Sequence, residues 1–197
     1  MKTTRTTTGP LLVLLLATVL GGCGVQSIPQ SKNAVDAAWA EVQNQYQRRA
    51  DLVPNLVEVV KGYAGHEKET LTAVIEARAK ATQVTVSPDN LNPETMRQFE
   101  QAQGALSQTL GRLMVVAERY PELKANENFR DLQVQLEGTE NRIAIARRRY
   151  IEAVQGFNNL ITVPPTSFTN SIFYREQPKP QFQATTPGAE KAPEVKF

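Results

Sequence analysis

The stretch "QRRADLVPNLV", residues 47–57, sets two arginines, an aspartate and a proline inside a neighbourhood patterned as a helix. Read as a turn, it would end one helix and start another. Read as helix, it joins its flanks into one long element. The phase of the apolar residues decides between these. Val35, Trp39, Val42, Tyr46, Arg49, Val53, Leu56, Val60 and Tyr63 step by fours and threes, and only Arg49 breaks the stripe. A turn would normally reset that phase, so the spacing predicts one helix kinked near Pro54. Proline removes the amide bond to residue 50 and crowds its carbonyl, which costs about 3 kcal/mol in a helix interior. Asp51 offers a partial offset by capping a new helical start through the amides of Val53 or Asn55.

Outward from this stretch, Gly65 loosens the helix at "AGHEKET", and the pattern resumes with Leu71, Val74, Ile75 and Arg78. "TQVTVSPDNLNP" reads as a connecting loop that ends in a cap, a first-turn proline and an acid matched to the helix dipole, namely Asn92, Pro93 and Glu94. A further stripe runs through Met96, Phe99, Ala102 or Gln103, Leu106, Leu110, Leu113 and Val116 or Ala117. The last stripe carries Phe129, Leu132, Leu136, Thr139, Ile143, Ala146, Tyr150, Ala153 or Val154, Phe157 and Leu160 or Ile161. Narrow stripes on long helices bury themselves against one another. The expected fold is therefore all-α, an antiparallel bundle of about four long helices over residues 31–161. From residue 162 to 197 the composition shifts to a proline-rich tail, read as extended and partly disordered. Within it "SIFYREQPKPQF" is more apolar than a linker needs to be.

The N-terminus has a different grammar. Lys2 and Arg5 precede an apolar core from Leu11 to Leu20, then small residues and Cys23. This is the layout of a signal peptide over residues 1–22. A helix from Leu11 through Val25 would rise about 22 Å, short of a hydrocarbon core of about 30 Å. Leu20-Gly21-Gly22-Cys23 resembles the bacterial lipobox, in which cleavage precedes a cysteine whose thiol carries a diacylglycerol. On that reading Cys23 is the lipidation site and residues 23–30 a lipidated tether; the alternative is a free cysteine near the end of an uncleaved anchor. Each buried methylene of an acyl chain contributes about 0.8 kcal/mol, so several chains on one residue anchor durably.

Charge and composition exclude several functions. Setting Lys2 and Arg5 aside from the 22 basic residues leaves 20, equal to the 20 acidic ones. A neutral chain lacks the basic face that binding to nucleic acid requires. One cysteine and one histidine make neither a disulfide framework nor a tetrahedral zinc site. A ferritin-like di-metal centre needs two Glu-x-x-His units, and His66 alone in "HEKE" has the order reversed. No cofactor and no metal are expected. Arg147, Arg148 and Arg149 occupy the shoulders of the last stripe, as a solvated basic face or as a site for anionic lipid headgroups.

The letters "RRADLVPNLVEVVKGYAGHEKETL", "ARAKA" and "YPELKANENFRDLQVQLEGTENRIAIARRRYIEAVQGFNNLI" together resemble the LemA family, over roughly residues 31–183. The resemblance implies a membrane-attached, mainly α-helical bacterial protein without established enzymatic activity, exposed beyond the cytoplasmic membrane. Family members often carry an uncleaved N-terminal helix, and Cys23 departs from that pattern. The expected protein is a non-enzymatic binding or scaffolding module of the cell envelope, facing the periplasm or the exterior. In a Gram-negative cell, Gly24 after the cysteine would permit sorting to the outer membrane. Its expected partners are the membrane, through the N-terminal lipid, and either an envelope protein or a second copy of itself. The rival readings are a membrane-remodelling or self-associating helical protein, and an accessory hydrolase with a carboxylate-lined groove. Two of the family's specific stretches place polar residues in the two longest stripes: Arg49 in one, and Thr139 beside Glu140 and Asn141 in the other. Arg49, Asp51, Glu140 and Asn141 are expected to form a structural polar network, with a bidentate pair between Arg49 and Glu140 that fixes helix register more than it adds stability.

Overall fold

The computed structural model describes residues 25–182. The leader, Cys23 and the end of the tail lie outside the described residues. In chain order the elements are α1 (Ser27–Ala64), α2 (Lys68–Gln83), a 3-10 turn (Pro88–Asn90), α3 (Pro93–Ala117), α4 (Pro121–Ala125), α5 (Glu127–Thr162), α6 (Thr166–Thr169) and a π turn (Asn170–Tyr174). No strand occurs among the described residues, so the fold is all-α.

α1 is one helix with Pro54 inside it. Asp51 does not cap a second start there. It is exposed and accepts from the Gln47 side chain one turn earlier, at 2.7 Å. The helix also begins before the expected stripe, at Ser27, so part of the expected tether is helical and Ile28 is buried. Pro29 is tolerated because amides of the first turn have no helical partner to lose. At the other end Tyr63 is exposed, although it belongs to the expected stripe. A straight α-helix drifts by about 20° per heptad against a strict seven-residue repeat, and over four heptads that rotates Tyr63 out. Val57 and Ala64 rotate in and are buried in its place. Ile75 likewise faces solvent, while Leu71, Val74, Ala77 and Ala81 form the buried face of α2.

The N-terminus of α3 is closed by a capping box. The Asn92 Oδ1 accepts from the amides of Glu94 and Thr95, both at 3.0 Å, and the Asn92 amide donates to the Thr95 hydroxyl at 3.1 Å. Such a cap contributes about 1 kcal/mol. Pro93 at the first helical position loses no bond.

The chain divides into two compact units. Among the described residues, the first comprises 25–45 together with Ile143–Lys179. Its buried side chains are apolar and aromatic: Ile28, Val35, Trp39 and Val42 from α1, and Ala146, Tyr150, Val154, Phe157 and Ile161 from α5. The Trp39 and Tyr150 rings lie 5.4 Å apart in a tilted pair. After α5, where extended chain is expected, α6 and the π turn fold back. The buried Asn170 organises them: its Oδ1 accepts from the Glu176 amide at 2.9 Å, and its Nδ2 donates to the Glu176 carbonyl at 3.1 Å. Asn158 clasps the backbone of Lys179 in the same two-handed way, through its amide at 2.8 Å and its carbonyl at 3.0 Å.

Among the described residues, the second unit comprises Tyr46–Arg142 and 180–182. One apolar cluster holds it, drawing Val53, Leu56 and Val60 from α1, Val74 from α2, Leu106 and Leu113 from α3, Leu123 from α4, and Phe129 and Leu136 from α5. Burying each such side chain stabilises the fold by about 1.5–3 kcal/mol.

Candidate functional site

Arg49 is the one fully buried cation among the described residues, at 1% exposure. It projects from α1 in the second unit and meets groups from two other helices. Its Nη2 donates to the Gln103 side-chain oxygen at 2.8 Å and to the Gln103 carbonyl at 3.0 Å. Its Nη1 donates to the Ser107 hydroxyl at 2.5 Å and to the Glu140 Oε1 at 3.0 Å. The contact with Glu140 uses one nitrogen and one oxygen, so it is not a bidentate fork. The reason is geometric: the second nitrogen is already committed to Gln103 on α3. The guanidinium also lies 5.0 Å from the centre of the Tyr46 ring, which in turn meets Phe99 edge-on at 5.1 Å. Gln103 extends the chain of bonds by donating to the Ala81 carbonyl near the end of α2, at 3.1 Å. Four helices are thereby tied through one cation.

A second arginine serves the proline. Pro54 has no amide, so the carbonyl of Ala50, one turn before it, lacks its helical donor. Arg78 on α2 donates its Nε to that carbonyl at 2.8 Å. A buried carbonyl left without a donor costs about 1–3 kcal/mol, and a charged donor from a neighbouring helix removes that cost.

Of the expected network, then, the structure brings Arg49 and Glu140 together and leaves Asp51 and Asn141 exposed and outside it. Thr139 is buried, but its hydroxyl returns to the Gln135 carbonyl of its own helix at 2.8 Å. Gln103, Ser107, Ala81 and the Arg78–Ala50 bond are additions. The signal for Gln103 was its position in an apolar stripe, and the signal for Arg78 was the carbonyl that any mid-helix proline must orphan.

Elsewhere in the second unit, a cavity of about 340 Å³ is lined by Tyr63, Arg119, Tyr120, Pro121 and Glu122. Glu67 accepts from Arg119 at 2.9 Å and from the Tyr120 hydroxyl at 3.1 Å, and Asn126 donates to the Tyr63 hydroxyl at 3.0 Å. The bond to Glu67, more than desolvation, raises the Tyr120 phenol above its ordinary value. His66 is exposed on the turn after α1. Among the described residues no group of three His, Cys, Asp or Glu side chains is placed to hold a metal ion, and no helix is long and apolar enough to cross a membrane.

The chain is 26% identical over 144 residues to Protein LemA of Metamycoplasma hominis, covering 73% of this chain and 60% of that protein. Over 93 residues it is 31% identical to Magnetosome protein MamQ 2 of Paramagnetospirillum magneticum, covering 44% of this chain and 34% of the relative. Magnetosome protein MamQ of Magnetospirillum gryphiswaldense matches at 28% identity with the same coverage. The chain thus spans less than two thirds of the length of these relatives. The family profile described as LemA family matches residues 38–197, which takes in the proline-bearing half of α1, the Arg49 cluster and every later element, and the chain belongs to that family.

Proposed function

We propose that this is a lipid-anchored protein of the bacterial cell envelope, and that its helices form an antiparallel bundle serving as a binding or scaffolding module without chemistry of its own. The observation that carries the reading is the order basic residues, short apolar run, Leu20-Gly21-Gly22-Cys23, followed within a few residues by a helical domain. An apolar run too short to span comfortably, ending in small residues and a single cysteine, suits cleavage and acylation better than retention as a membrane helix. The bonding of Arg49 supports the non-enzymatic half. Its two terminal nitrogens donate to a glutamine side chain, a serine, a carbonyl and one carboxylate, all on neighbouring helices, which suits holding helices in register. Membership in the LemA family supports attachment to a membrane.

The test is metabolic labelling with a palmitate analogue together with mass measurement. The wild-type chain should be labelled and shortened to begin at Cys23, whereas Cys23→Ser should accumulate as an unlabelled, longer precursor with the helical domain intact. A wild-type chain that is unlabelled and of unprocessed mass overturns the reading. Cross-linking in the native envelope, followed by mass spectrometry, then identifies what the module holds.

A further inference from the structure

We infer that the turn region after α5 is a membrane-docking surface, in which Phe168, Ile172 and Phe173 insert into the interface of the bilayer that carries the anchor. These three are 64%, 66% and 70% exposed, and Val163 nearby in sequence is 54% exposed. Single exposed apolar residues are ordinary, but a group of large ones in one short segment marks an interaction site. The segment has the geometry to gather them. Phe168 lies in α6 and is followed by the π turn, whose bonds reach five residues back, so positions four and five further on return to the same side. The π turn is held in shape: the Arg175 amide closes on the Asn170 carbonyl at 2.7 Å, with Arg175 in the left-handed region at φ 55°. The buried Asn170, through its two bonds to Glu176, fixes the path of the backbone as it leaves the turn. A rigid segment that presents two aromatic rings and an isoleucine to solvent loses little conformational entropy on insertion.

The place of this segment identifies the occupant. The Tyr174 hydroxyl donates to the carbonyl of Val25 at 2.6 Å, so the apolar turn is bonded to the first described residue of the chain. Val25 is two residues from Cys23, at most about 7.6 Å of backbone. A lipid on Cys23 would hold the membrane surface within reach of these side chains. Lys32 pairs with Glu176 at 2.7 Å in the same unit, which ties the first turns of α1 to the end of the turn as well. Aromatic side chains with a polar neighbour are the residues that settle at the level of lipid headgroups, and Tyr174 and the exposed Arg175 supply the polar rim. The bilayer is thus the partner, and docking would set the orientation of the anchored unit instead of leaving it to swing on a tether.

This inference rests on the reading of Cys23 as the anchor, and the experiment separates the two. The full-length chain carrying Phe173→Cys is labelled with an environment-sensitive dye. It is then reconstituted into phosphatidylethanolamine and phosphatidylglycerol vesicles whose acyl chains bear bromine. A second chain carries the dye at Gln155→Cys, an exposed position on α5 in the same unit. The dye at 173 should lose about half or more of its emission to the brominated chains and resist aqueous iodide, as interfacial burial of roughly 5–10 Å requires. The dye at 155 should do the reverse, and adding Phe168→Glu with Ile172→Glu should return position 173 to iodide. Iodide quenching at 173 in a vesicle-bound chain overturns the docking surface and leaves the anchor standing. Protection from both quenchers means that protein covers the segment, which also overturns it. Lipid quenching in a chain whose mass shows an uncut leader and whose peptide map shows the dye at 173 alone supports docking and removes the lipid on Cys23. A chain that does not float with the vesicles removes both.

Discussion

The two units draw on the same two long helices and both bury apolar side chains, but among the described residues only the second adds a buried cation to its apolar cluster. In the first, the stripes of α1 and α5 contribute Trp39, Tyr150 and Phe157, all wholly buried, and the polar work is done by Asn158 near the end of α5 and Asn170 in the π turn. In the second, the stripe of α1 delivers Arg49 and that of α3 delivers Gln103, so a cation and its acceptors sit where apolar side chains would otherwise meet. Apolar burial is non-directional and roughly proportional to area, so both units draw strength from it, and the first relies on it most. Hydrogen bonds to a buried guanidinium are directional, so the second unit gains a fixed register, while the desolvation of the charge takes back much of the energy. One residue in a heptad stripe is enough to change what kind of core it makes.

The sharpest attempt to break this contrast is in the first unit. Trp39→Ala should cost about 4 kcal/mol in urea unfolding, because the largest buried ring leaves a cavity that its neighbours cannot fill. A cost under about 1 kcal/mol would mean that volume is not what holds that unit. Next in size is the second unit's arginine at the proline. Arg78→Ala should cost about 2 kcal/mol, the range for a charged donor withdrawn from a buried carbonyl. In a Pro54→Ala background, where the helix supplies its own amide to Ala50, the same change should cost about half as much. Equal costs in the two backgrounds would show that Arg78 acts elsewhere.

A smaller effect is expected at Glu140. Its side chain is 46% exposed, so water replaces much of what Glu140→Gln removes, and the loss should be about 1 kcal/mol. A double-mutant cycle of Glu140→Gln with Arg49→Lys that shows no coupling would separate the carboxylate from the arginine. The smallest effect at neutral pH is that of Tyr150→Phe, whose signature is in alkali. Burial first, and then the Asp36 carboxylate, raise the Tyr150 phenol well above its ordinary value, so the folded chain keeps a proton that the unfolded chain gives up. The stabilisation is complete below about pH 10 and declines as the pH climbs beyond it. The phenylalanine variant should lack that decline, which stability curves measured between neutral and strongly alkaline pH would reveal.

Much of this architecture was legible because long amphipathic helices write their burial into a three-and-four rhythm. The continuity of α1 through Pro54 came from phase alone, and the Asn92 cap from local letters. The misses have physical causes. Tyr63 and Ile75 were misplaced because a strict heptad and a 3.6-residue helix fall out of step, so the end of a stripe is its least reliable part. The short turns after α5 were unreadable because no periodicity makes them; they depend on side-chain amides of Asn158 and Asn170 reaching backbone that is distant or irregular. The pairing of Arg49 with an acid was foreseeable from the cost of a lone buried charge. The dominance of Gln103 was not, since an amide in a stripe looks like a tolerated imperfection until its two ends are seen to be used.

Pro54 makes a helix that cannot guarantee its own continuity. Segments of α1 on either side can each close their own bonds, but the join is sealed from outside, by a side chain 28 residues further along the chain. A peptide of residues 27–64 alone should therefore behave as two frayed helical pieces with a loose joint at the proline, and become one continuous helix only when α2 is supplied. In amide exchange the residues around the joint would open together with the docking of α2, so that protection there reports on the assembly of the unit and not on the local strength of a helix. Continuity, in this protein, is conferred by a neighbour.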